Sequence, residues 1–573
     1  MARPHPPATS PSWPASQQAA DPATADPATA GATPPRPAGR QLPGWLVVVI
    51  PALAALGVGG YRLGGPSLWR DEAYTLGTAQ RSFGQIFALL LHVDAVHGPY
   101  YLGMHVVVAT AGTSEAALRL PSLLATGLAA GITAALGRRL AGMTPLPAPG
   151  LTGLLAGLLY AATPQTTFYA QDARPYGLVT ACAAAATYLL LVALADGGKR
   201  WWAGYGAAIA LTGMASLFAL LLVAAHAVTL LVTPPSLSPS RSPSMPPSLA
   251  RLRPFLAAVA AAGAVLSPLI VLGYRQNRAL GWISAPGLRA LGSLFEHAGG
   301  SRQLVPLVAV LATCGVVASL RPGRRRELTV ATVALPWLVL PPLVLLGISL
   351  IRPVYVERYV IFGQPALALL CAAGLTWLGS VIAGSAPRTR IPARAWPVLA
   401  WPVLAWTVPV LIVAVWAAGL IGPQQAVRRS SARPDNLRAV SAVVAANERP
   451  GDAVFFTPSE TRVVSLGYPA PFRRLRDLAL GESPVASGTL TGIPVPAQEL
   501  ATRFAAWQRG GGRDGRVWVV RWRNPPPGAP VTGLDREELA LTGGMHLVRR
   551  WTVQSVVLSL YQPDRAGRLR LGA

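Results

Sequence analysis

The chain is poor in charged residues and in cysteine. Asp, Glu, Lys and Arg make up 13% of its 573 residues, and only three residues are cysteine. Cys182, Cys314 and Cys371 lie in apolar segments, and no CxxC spacing occurs. Buried thiols in such segments behave as small apolar side chains. The sequence therefore predicts neither a disulfide framework nor a cysteine metal site.

Acidic residues are especially scarce. The chain has 23 acidic and 49 basic residues, which gives a formal net charge of +26. In a soluble protein such an excess would indicate nucleic-acid binding. Here many of the basic residues lie in short loops between apolar segments, where Lys and Arg orient a membrane protein. We therefore expect the lipid bilayer, and no nucleic acid, as the partner of these charges.

Long apolar runs dominate residues 45–421. Hydrophobic residues make up 52% of the chain, and its mean hydropathy is +0.42. A helix needs about 20 mostly apolar residues to cross a hydrocarbon layer about 30 Å thick. The pattern predicts an all-α polytopic membrane protein, which we expect in the plasma membrane.

Basic loops predict the orientation of the spans, because Lys and Arg in short loops favour the cytoplasm. The loops expected inside contain Arg138 and Arg139, Lys199 and Arg200, Arg251 and Arg253, the run Arg321 to Arg326, and Arg388, Arg390 and Arg394. With a cytoplasmic N-terminus, eleven spans place the C-terminus outside. They are predicted at residues 45–62, 118–138, 149–168, 176–195, 201–213, 214–232, 254–272, 304–320, 328–350, 359–383 and 396–421. This count requires that the short apolar stretch 100–110 does not cross.

Three segments depart from the membrane pattern. Residues 1–41 are rich in Pro, Ala and Thr, so we expect a disordered cytoplasmic tail and no signal peptide. Residues 233–250 have the Ser/Pro composition of a disordered cytoplasmic linker within the transmembrane domain 42–422. Residues 423–573 are predicted to form a small extracytoplasmic α/β domain. Its expected helices are 436–447 and 499–508, and its expected strands are 453–457, 516–522 and 555–561.

Five loops on the predicted outer side concentrate acids, arginines and aromatic residues. Charges at a membrane are costly, so a chain that keeps them there usually uses them. The candidates are Asp71 and Glu72; Asp94, His97, Tyr100 and Tyr101; Tyr169, Asp172, Arg174 and Tyr176; Trp282; and Glu357, Arg358 and Tyr359. A sugar donor carried on a lipid phosphate requires cations for the phosphate, a carboxylate to accept a proton from the acceptor hydroxyl, and aromatic faces for the sugar or the prenyl chain. The loops supply all three.

Each of these groups also has a purely structural interpretation. Asp172 and Arg174 could simply cap the helix that begins near Pro175, because Asp favours helix starts and Pro suits the first turn. His97 could be a turn residue, and Arg358 could be an anchor at the membrane interface. His105 and His226 lie in apolar segments, where hydrogen bonds to neighbouring groups are expected rather than a metal.

Taken together, the motifs have a characteristic order and spacing. It resembles that of the polyprenyl-phosphate-sugar-dependent GT-C glycosyltransferases, in particular the bacterial relatives of protein O-mannosyltransferases and of lipid A aminoarabinose transferases. The resemblance covers about residues 45–420 and rests on Trp69 to Ala73, His97 to Tyr101, Glu115 to Pro121, Gly137 to Arg139, Tyr169 to Tyr176 and Pro353 to Tyr359. It implies an inverting transfer of a sugar, a mannose-like hexose or a pentose, from a polyprenyl phosphate to an acceptor at the outer membrane face.

The resemblance also implies roles for individual residues. Asp71 matches the catalytic carboxylate, with Glu72 beside it, and Asp172 matches a second acid. We expect Arg174 and Arg358 to hold the donor phosphate. His97 stands where the aminoarabinose branch has a lysine, and it is the third candidate for that contact. The aromatic residues expected to line the substrate site are Tyr100, Tyr101, Tyr176, Trp282 and Tyr359.

Metal dependence does not carry over from the family, because the chain has no Asp-x-Asp motif. The sequence assigns neither a cofactor nor a metal ligand. Two other functions share the features of the outer loops, namely a transporter or flippase of lipid-linked sugars and a non-catalytic scaffold whose outer domain binds a partner. A proton or ion pump would place acids at mid-span, where this chain has almost none. The acceptor is a protein, a lipid or a glycan.

Overall fold

The computed structural model describes residues 43–144, 146, 148–233, 247–320, 328–384, 397–509, 515–523, 538 and 542–563. The predicted tail 1–41, most of the predicted linker 233–250 and the basic residues at 321–326, 388, 390 and 394 lie outside these ranges. Leu42–Ala573 form one compact unit, which contains both the helical part and the C-terminal part.

Helices make up most of the described chain. They are α1 (Gly44–Gly60), α2 (Arg70–Ala79), α3 (Phe83–His92), α4 (Gly98–Ala111), α5 (Glu115–Met143), α6 (Pro149–Ala162), α7 (Pro164–Ala170), α8 (Tyr176–Asp196), α9 (Lys199–Ala215), α10 (Leu221–Val232), α11 (Pro247–Arg275), α12 (Leu288–Gly299), α13 (Val305–Ser319), α14 (Val330–Ile351), α15 (Gln364–Gly384), α16 (Pro397–Ala426), α17 (Leu437–Asn447), α18 (Val463–Gly467) and α19 (Ala497–Arg509). Each predicted span overlaps a helix, although span 149–168 is divided between α6 and α7 and span 214–232 begins before α10. Seven helices in the described ranges are long and apolar enough to cross a membrane. The polytopic membrane fold is therefore confirmed, while the count of eleven spans stays a prediction.

Small residues let the helices approach closely. A Cβ atom on Gly315 of α13 would lie 2.0 Å from the carbonyl oxygen of Leu370 in α15, and one on Gly374 would lie 2.1 Å from that of Leu311. Large apolar side chains point outward instead, for example Leu53, which is 61% exposed. Membrane helices commonly pack through small residues while apolar side chains face the lipid.

The C-terminal part is a small α/β structure, as predicted. Its strands are β1 (Ala453–Thr457), β2 (Arg476–Asp477), β3 (Leu480–Glu482), β4 (Ile493–Pro494), β5 (Val517–Trp522), β6 (Met545–Val553) and β7 (Val556–Pro563). A five-stranded sheet has the order β2-β1-β5-β7-β6, and β3 pairs with β4. The pairs β2-β1 and β1-β5 are parallel, whereas β5-β7 and β7-β6 are antiparallel. The predicted helices and strands of this region are found, and β2, β3, β4 and β6 were not predicted.

Helix α2 joins the two parts of the fold. Its residue Ala73 is fully buried in the core of the C-terminal part, where it packs with Leu437, Val463 and Trp518. The loop that precedes α2 is hydrogen-bonded to the same part, since Ser67 N donates to Ser430 Oγ at 3.1 Å. The C-terminal part therefore holds the chain before α2, at Ser67, and within α2, at Ala73. Asp71 and Glu72 lie between these two points and so have defined positions.

Candidate active site

The helix α2 begins directly at the predicted acidic pair. Trp69 is extended, Arg70 is the first helical residue, and Asp71 and Glu72 lie in the first turn. Carboxylates are stabilised in the first turn of a helix by the unpaired backbone N–H groups there. The two side chains nevertheless face different surroundings, because the Glu72 side chain is fully buried and the Asp71 side chain is 18% exposed.

Glu72 forms a buried ion pair with Arg119 of α5. Arg119 Nε and Nη2 donate to the two carboxylate oxygens at 2.7 Å each, and the backbone N–H of Ala173 donates to Oε1 at 2.9 Å. Burial by itself raises the pKa of Glu72, but the charge and hydrogen bonds of Arg119 outweigh it and lower the pKa. Both oxygens are thus occupied, and Glu72 ties α2 to α5 and to the turn before α8.

Asp71 faces Arg358, which precedes α15. Its Oδ2 lies 4.0 Å from Arg358 Nη2, and it accepts no hydrogen bond from any residue that the structure describes. The Arg358 guanidinium lies 5.3 Å from the ring centre of Trp282 and 5.7 Å from that of Tyr359, within reach of cation–π attraction. Arg358 Nε also has no partner in the described ranges. A carboxylate and a guanidinium with unused hydrogen-bonding capacity therefore face each other.

Asp172 is fully buried and is connected to Arg358 through the Trp69 ring. Its Oδ1 accepts a hydrogen bond from Trp69 Nε1 at 2.9 Å, and its Oδ2 has no partner among the described residues. Burial, and then the charge of Glu72, raise the pKa of Asp172 to about 6. Neither Asp172 nor Arg174 caps α8, whose first turn follows Pro175 without a side-chain cap. The capping interpretation of these two residues is therefore wrong.

Arg174 is held by a chain of hydrogen bonds. Arg174 Nη2 lies 2.8 Å from His97 Nε2, His97 Nδ1 lies 2.6 Å from Asp94 Oδ1, and the Tyr101 hydroxyl donates to Asp94 Oδ2. A guanidinium can only donate. His97 therefore accepts from Arg174 at Nε2 and donates from Nδ1 to Asp94. Arg174 also lies within electrostatic reach of Asp71.

Aromatic residues surround these charges. The Tyr176 ring lies 4.9 Å from the Tyr169 ring, and the Tyr359 ring stacks on Phe218 at 4.7 Å. Tyr100 is buried, and its hydroxyl has no partner in the described part of the chain. The predicted site residues Asp71, Glu72, His97, Tyr100, Tyr101, Asp172, Arg174, Tyr176, Trp282, Arg358 and Tyr359 are thus linked, directly or through a shared neighbour, at one end of the helical bundle.

Some residues near this cluster were not predicted. Arg433 and Asp435, between α16 and α17, are 1% and 0% exposed. Asp435 accepts from Nε and Nη2 of Arg70 at 2.8 Å each. The only sequence signal was the pair of charges shortly after the last apolar run. In contrast, His105 and His226 have the expected hydrogen bonds, to the carbonyl of Ala79 and to Thr187 and Tyr205.

Within the described ranges, no three His, Cys, Asp or Glu residues are grouped closely enough to hold a metal ion. A cavity among the helices is lined by residues such as Leu159, Val308 and Trp416 and includes none of the predicted site residues. The polar side chains of the cluster itself are the candidates for its chemistry.

Part of the chain matches a family model. Residues 98–271 match the family model of the dolichyl-phosphate-mannose-protein mannosyltransferases, a stretch that includes Tyr100, Asp172 and Arg174. None of the curated proteins matches the chain significantly.

Several solved structures are similar to the chain. ArnT from Cupriavidus metallidurans in the apo state has 14% sequence identity and a TM-score of 0.54 over 90% of this chain and 97% of its own. The same protein bound to undecaprenyl phosphate has 14% identity and a TM-score of 0.49 over the same shares. The oligosaccharyltransferase AglB from Archaeoglobus fulgidus, in complex with an inhibitory peptide and a dolichol-phosphate, has 13% identity and a TM-score of 0.38 over 84% of this chain and 69% of its own. The resemblance of the sequence to the GT-C polyprenyl-phosphate-sugar-dependent glycosyltransferases is therefore confirmed.

Proposed function

We propose that the protein is an integral-membrane glycosyltransferase that moves a sugar from a polyprenyl-phosphate donor to an acceptor hydroxyl at the outer membrane face. The observation that carries this proposal is the environment of Asp71. Its carboxylate is partly exposed, accepts no hydrogen bond from the described residues and lies 4.0 Å from a guanidinium. A carboxylate without hydrogen-bonded partners is available to take a proton, and the adjacent cation suits a phosphate.

The proposed reaction is a single displacement. The acceptor oxygen bonds to the anomeric carbon of the donor sugar while the bond from that carbon to the phosphate oxygen breaks. Asp71 receives the proton of the acceptor hydroxyl, and the electron pair of the broken bond stays with the polyprenyl phosphate. Attack opposite the leaving phosphate inverts the anomeric centre. A sugar such as a mannose-like hexose or a pentose, and an acceptor that is a protein, a lipid or a glycan, fit this scheme.

Arg358 and Arg174 are the proposed partners of the donor phosphate. Both keep donor atoms without partners in the described part of the chain, since Nε of each is unpaired. Guanidinium groups suit phosphates because their planar N–H groups match two oxygens at once. The negative charge that develops on the leaving phosphate would strengthen these contacts in the transition state. Trp282 and Tyr359, which lie beside Arg358, offer faces for the sugar or the prenyl chain.

The remaining predicted residues are proposed to position these groups. His97 uses Nε2 to hold Arg174, so we assign it to the orientation of that guanidinium rather than to the phosphate itself. Glu72 has both oxygens bonded and no exposure, so it fixes the start of α2. Asp172 holds the Trp69 ring, whose centre lies 6.0 Å from the Arg358 guanidinium.

The proposal predicts a selective effect of Asp71→Asn. The variant keeps the shape of the side chain and loses the base, so sugar transfer in membranes supplied with a polyprenyl-phosphate sugar should fall by about a hundredfold or more. Binding of the polyprenyl phosphate should persist, because the arginines remain. The matched control is Asp196→Asn, an exposed acid at the far end of α8, which should transfer like the wild type. Transfer by Asp71→Asn within about twofold of the control would overturn the role of Asp71 as the base, whereas a wild type and a control that both fail to transfer would favour a transporter or a scaffold.

A further inference from the structure

The segment Ser430 to Asp435 places two charged residues of the C-terminal part, Arg433 and Asp435, beside the candidate active site. Arg433 is 1% exposed, although it follows the last apolar helix by only a few residues. A guanidinium is rarely buried to this extent unless its neighbours compensate the charge. Its neighbours are the turn between α7 and α8 and the carboxylates attached to that turn.

Arg433 holds the backbone immediately before Asp172. Its Nη2 donates to the carbonyl oxygens of Phe168, at 3.2 Å, and Gln171. Its guanidinium also covers the Phe168 ring at 3.9 Å from the ring centre. Nε and Nη1 have no hydrogen-bond partner among the described residues. The hydrogen bonds of this side chain thus go to the main chain of the turn. Its positive charge is not neutralised by a direct ion pair within the described ranges and acts on the nearby acids through space.

The charge of Arg433 acts on both buried carboxylates. Burial and the charge of Glu72 raise the pKa of Asp172, and the charge of Arg433 opposes them. Arg433 also favours the charged form of Glu72, which already has Arg119 as its partner. The charged and titratable groups that face Asp172 are Glu72, Tyr100, Arg119, Tyr169, Arg174 and Arg433. Two acids therefore share the field of three arginines, and Arg433 alone comes from outside the helical part.

The C-terminal part holds Arg433 from behind. Gln554 Nε2, in the turn between β6 and β7, donates to the carbonyl oxygen of Arg433 at 3.1 Å. Ser555 in the same turn donates to Asp435, which in turn binds Arg70 next to Asp71. The turn of one hairpin is therefore connected to both loops that carry the predicted acids.

We infer that Arg433 is a positioning residue of the catalytic centre, through which the C-terminal part orders the turn 168–172 and places a positive charge near Asp172. The inference rests on the proposed glycosyltransferase function. An ionised Asp172 holds Trp69 more firmly than a neutral one, because hydrogen bonds to a charged acceptor are stronger. Trp69 in turn lies against Arg358, the proposed phosphate ligand.

The pH profile of transfer tests this inference. Arg433→Gln removes the positive charge, so Asp172 should protonate at higher pH, and the acid limb of kcat/KM for the donor should move up by about one pH unit. Transfer at pH 6 should then fall several-fold relative to transfer at pH 8. Arg433→Lys keeps the charge and should keep the wild-type limb, even where the loss of the carbonyl contacts lowers the rate at all pH values.

The matched control is Arg428→Gln, which removes the same charge from a half-buried arginine. Arg428 bonds to Gln424 and to the carbonyl oxygens of Val58 and Tyr61, and neither Asp172 nor Glu72 is among the charges that act on it. The acid limb of the Arg428→Gln variant should coincide with that of the wild type.

A second test combines Arg433→Gln with Asp172→Asn. The acid limb of this double variant should coincide with that of Asp172→Asn alone, because the charge at position 433 then has no Asp172 carboxylate to act on.

The outcomes separate the inference from the proposed function. An inactive wild type would refute the function itself. An active wild type with an unchanged limb in Arg433→Gln would refute the inference alone. If Arg433→Gln does not fold, Arg433→Lys decides the question, because a limb shifted as far as one pH unit despite the retained charge would also refute it.

Discussion

The adjacent carboxylates Asp71 and Glu72 differ because successive residues of an α-helix point about 100° apart. Glu72 points into the bundle and meets Arg119, and Asp71 points toward Arg358. A buried bidentate pair is costly to break, since removal of one partner leaves an uncompensated charge. The ion pair of Glu72 thereby fixes the start of α2. Asp71 gains a defined position in this way, while its own carboxylate accepts no hydrogen bond from the described residues.

Asp172 should make the stability of the protein depend on pH. Its pKa of about 6 lies above the ordinary value of 3.8, so the folded state favours the protonated form. The contribution of Asp172 to the free energy of unfolding is therefore largest below pH 3.8 and is lost as the pH rises through about 6. Asp172→Asn keeps the acceptor oxygen for Trp69 and carries no charge. The variant should gain stability relative to the wild type between pH 4 and pH 8, by up to about 3 kcal/mol.

Thermal unfolding of the two proteins in the same detergent, followed at pH 4 and at pH 8, measures this difference. The midpoints should lie close together at pH 4, and the variant should unfold at the higher temperature at pH 8. A wild type that is the more stable of the two at pH 8 would show that the buried carboxylate is fully compensated, contrary to the expectation.

A site residue could be predicted from the sequence where it lies in a polar segment next to an apolar run. A residue whose position depends on a partner far away in the sequence could not be predicted. Asp71 and Arg358 stand in loops beside apolar runs, and the structure places them together. Nothing in the sequence signals that Arg119 pairs with Glu72, 47 positions away. Arg433 was missed for the same reason, because its burial depends on how the C-terminal part packs on α7 and α8.

At the scale of elements, apolar runs located the helices well, and the boundaries followed local signals. The helix α5 begins after Ser114, whose side chain accepts from Ala117 N, and α8 ends just before Gly197, whose φ of 66° suits glycine. The strands β2, β3 and β4 have only two or three residues each and gave no periodic pattern to detect. Short elements are specified by their neighbours rather than by their own sequence.

The contact between α13 and α15 should tolerate no added methyl group. A Cβ atom at position 374 would lie 2.1 Å from the carbonyl oxygen of Leu311, so Gly374→Ala must push the two helices apart. Overpacking of this kind typically costs about 1–3 kcal/mol. Gly347→Ala on α14 is the matched control, since no atom lies within 4 Å of the added Cβ.

Thermal midpoints in detergent compare the two variants directly. Gly374→Ala should unfold several degrees below the wild type, and Gly347→Ala should unfold at or above it, because alanine is the better helix former. Equal midpoints for the two variants would mean that the helices shift apart freely at this contact.

At the scale of the whole molecule, the C-terminal part and the helical bundle are one folded unit with the cluster between them. The Tyr468 hydroxyl donates to Glu115 at the start of α5, and Arg438 Nη2 bonds the same carboxylate at 2.7 Å. Ala73 of α2 lies in the core of the C-terminal part. The site therefore lies at the end of the bundle that this part covers, and the side of the membrane on which it operates is the side of residues 423–573.

That side can be identified by labelling single cysteines in intact cells with a maleimide that does not cross membranes. Ala505→Cys lies on the exposed surface of α19, and Lys199→Cys lies at the exposed start of α9, at the opposite end of α8 from Asp172. The native Cys182, Cys314 and Cys371 lie in helices of the bundle and form the background. We expect Ala505→Cys to react in intact cells and Lys199→Cys to react only after the membrane is opened. The reverse pattern would place the cluster in the cytoplasm, where the positive loops are predicted, and would overturn the proposed transfer at the outer face.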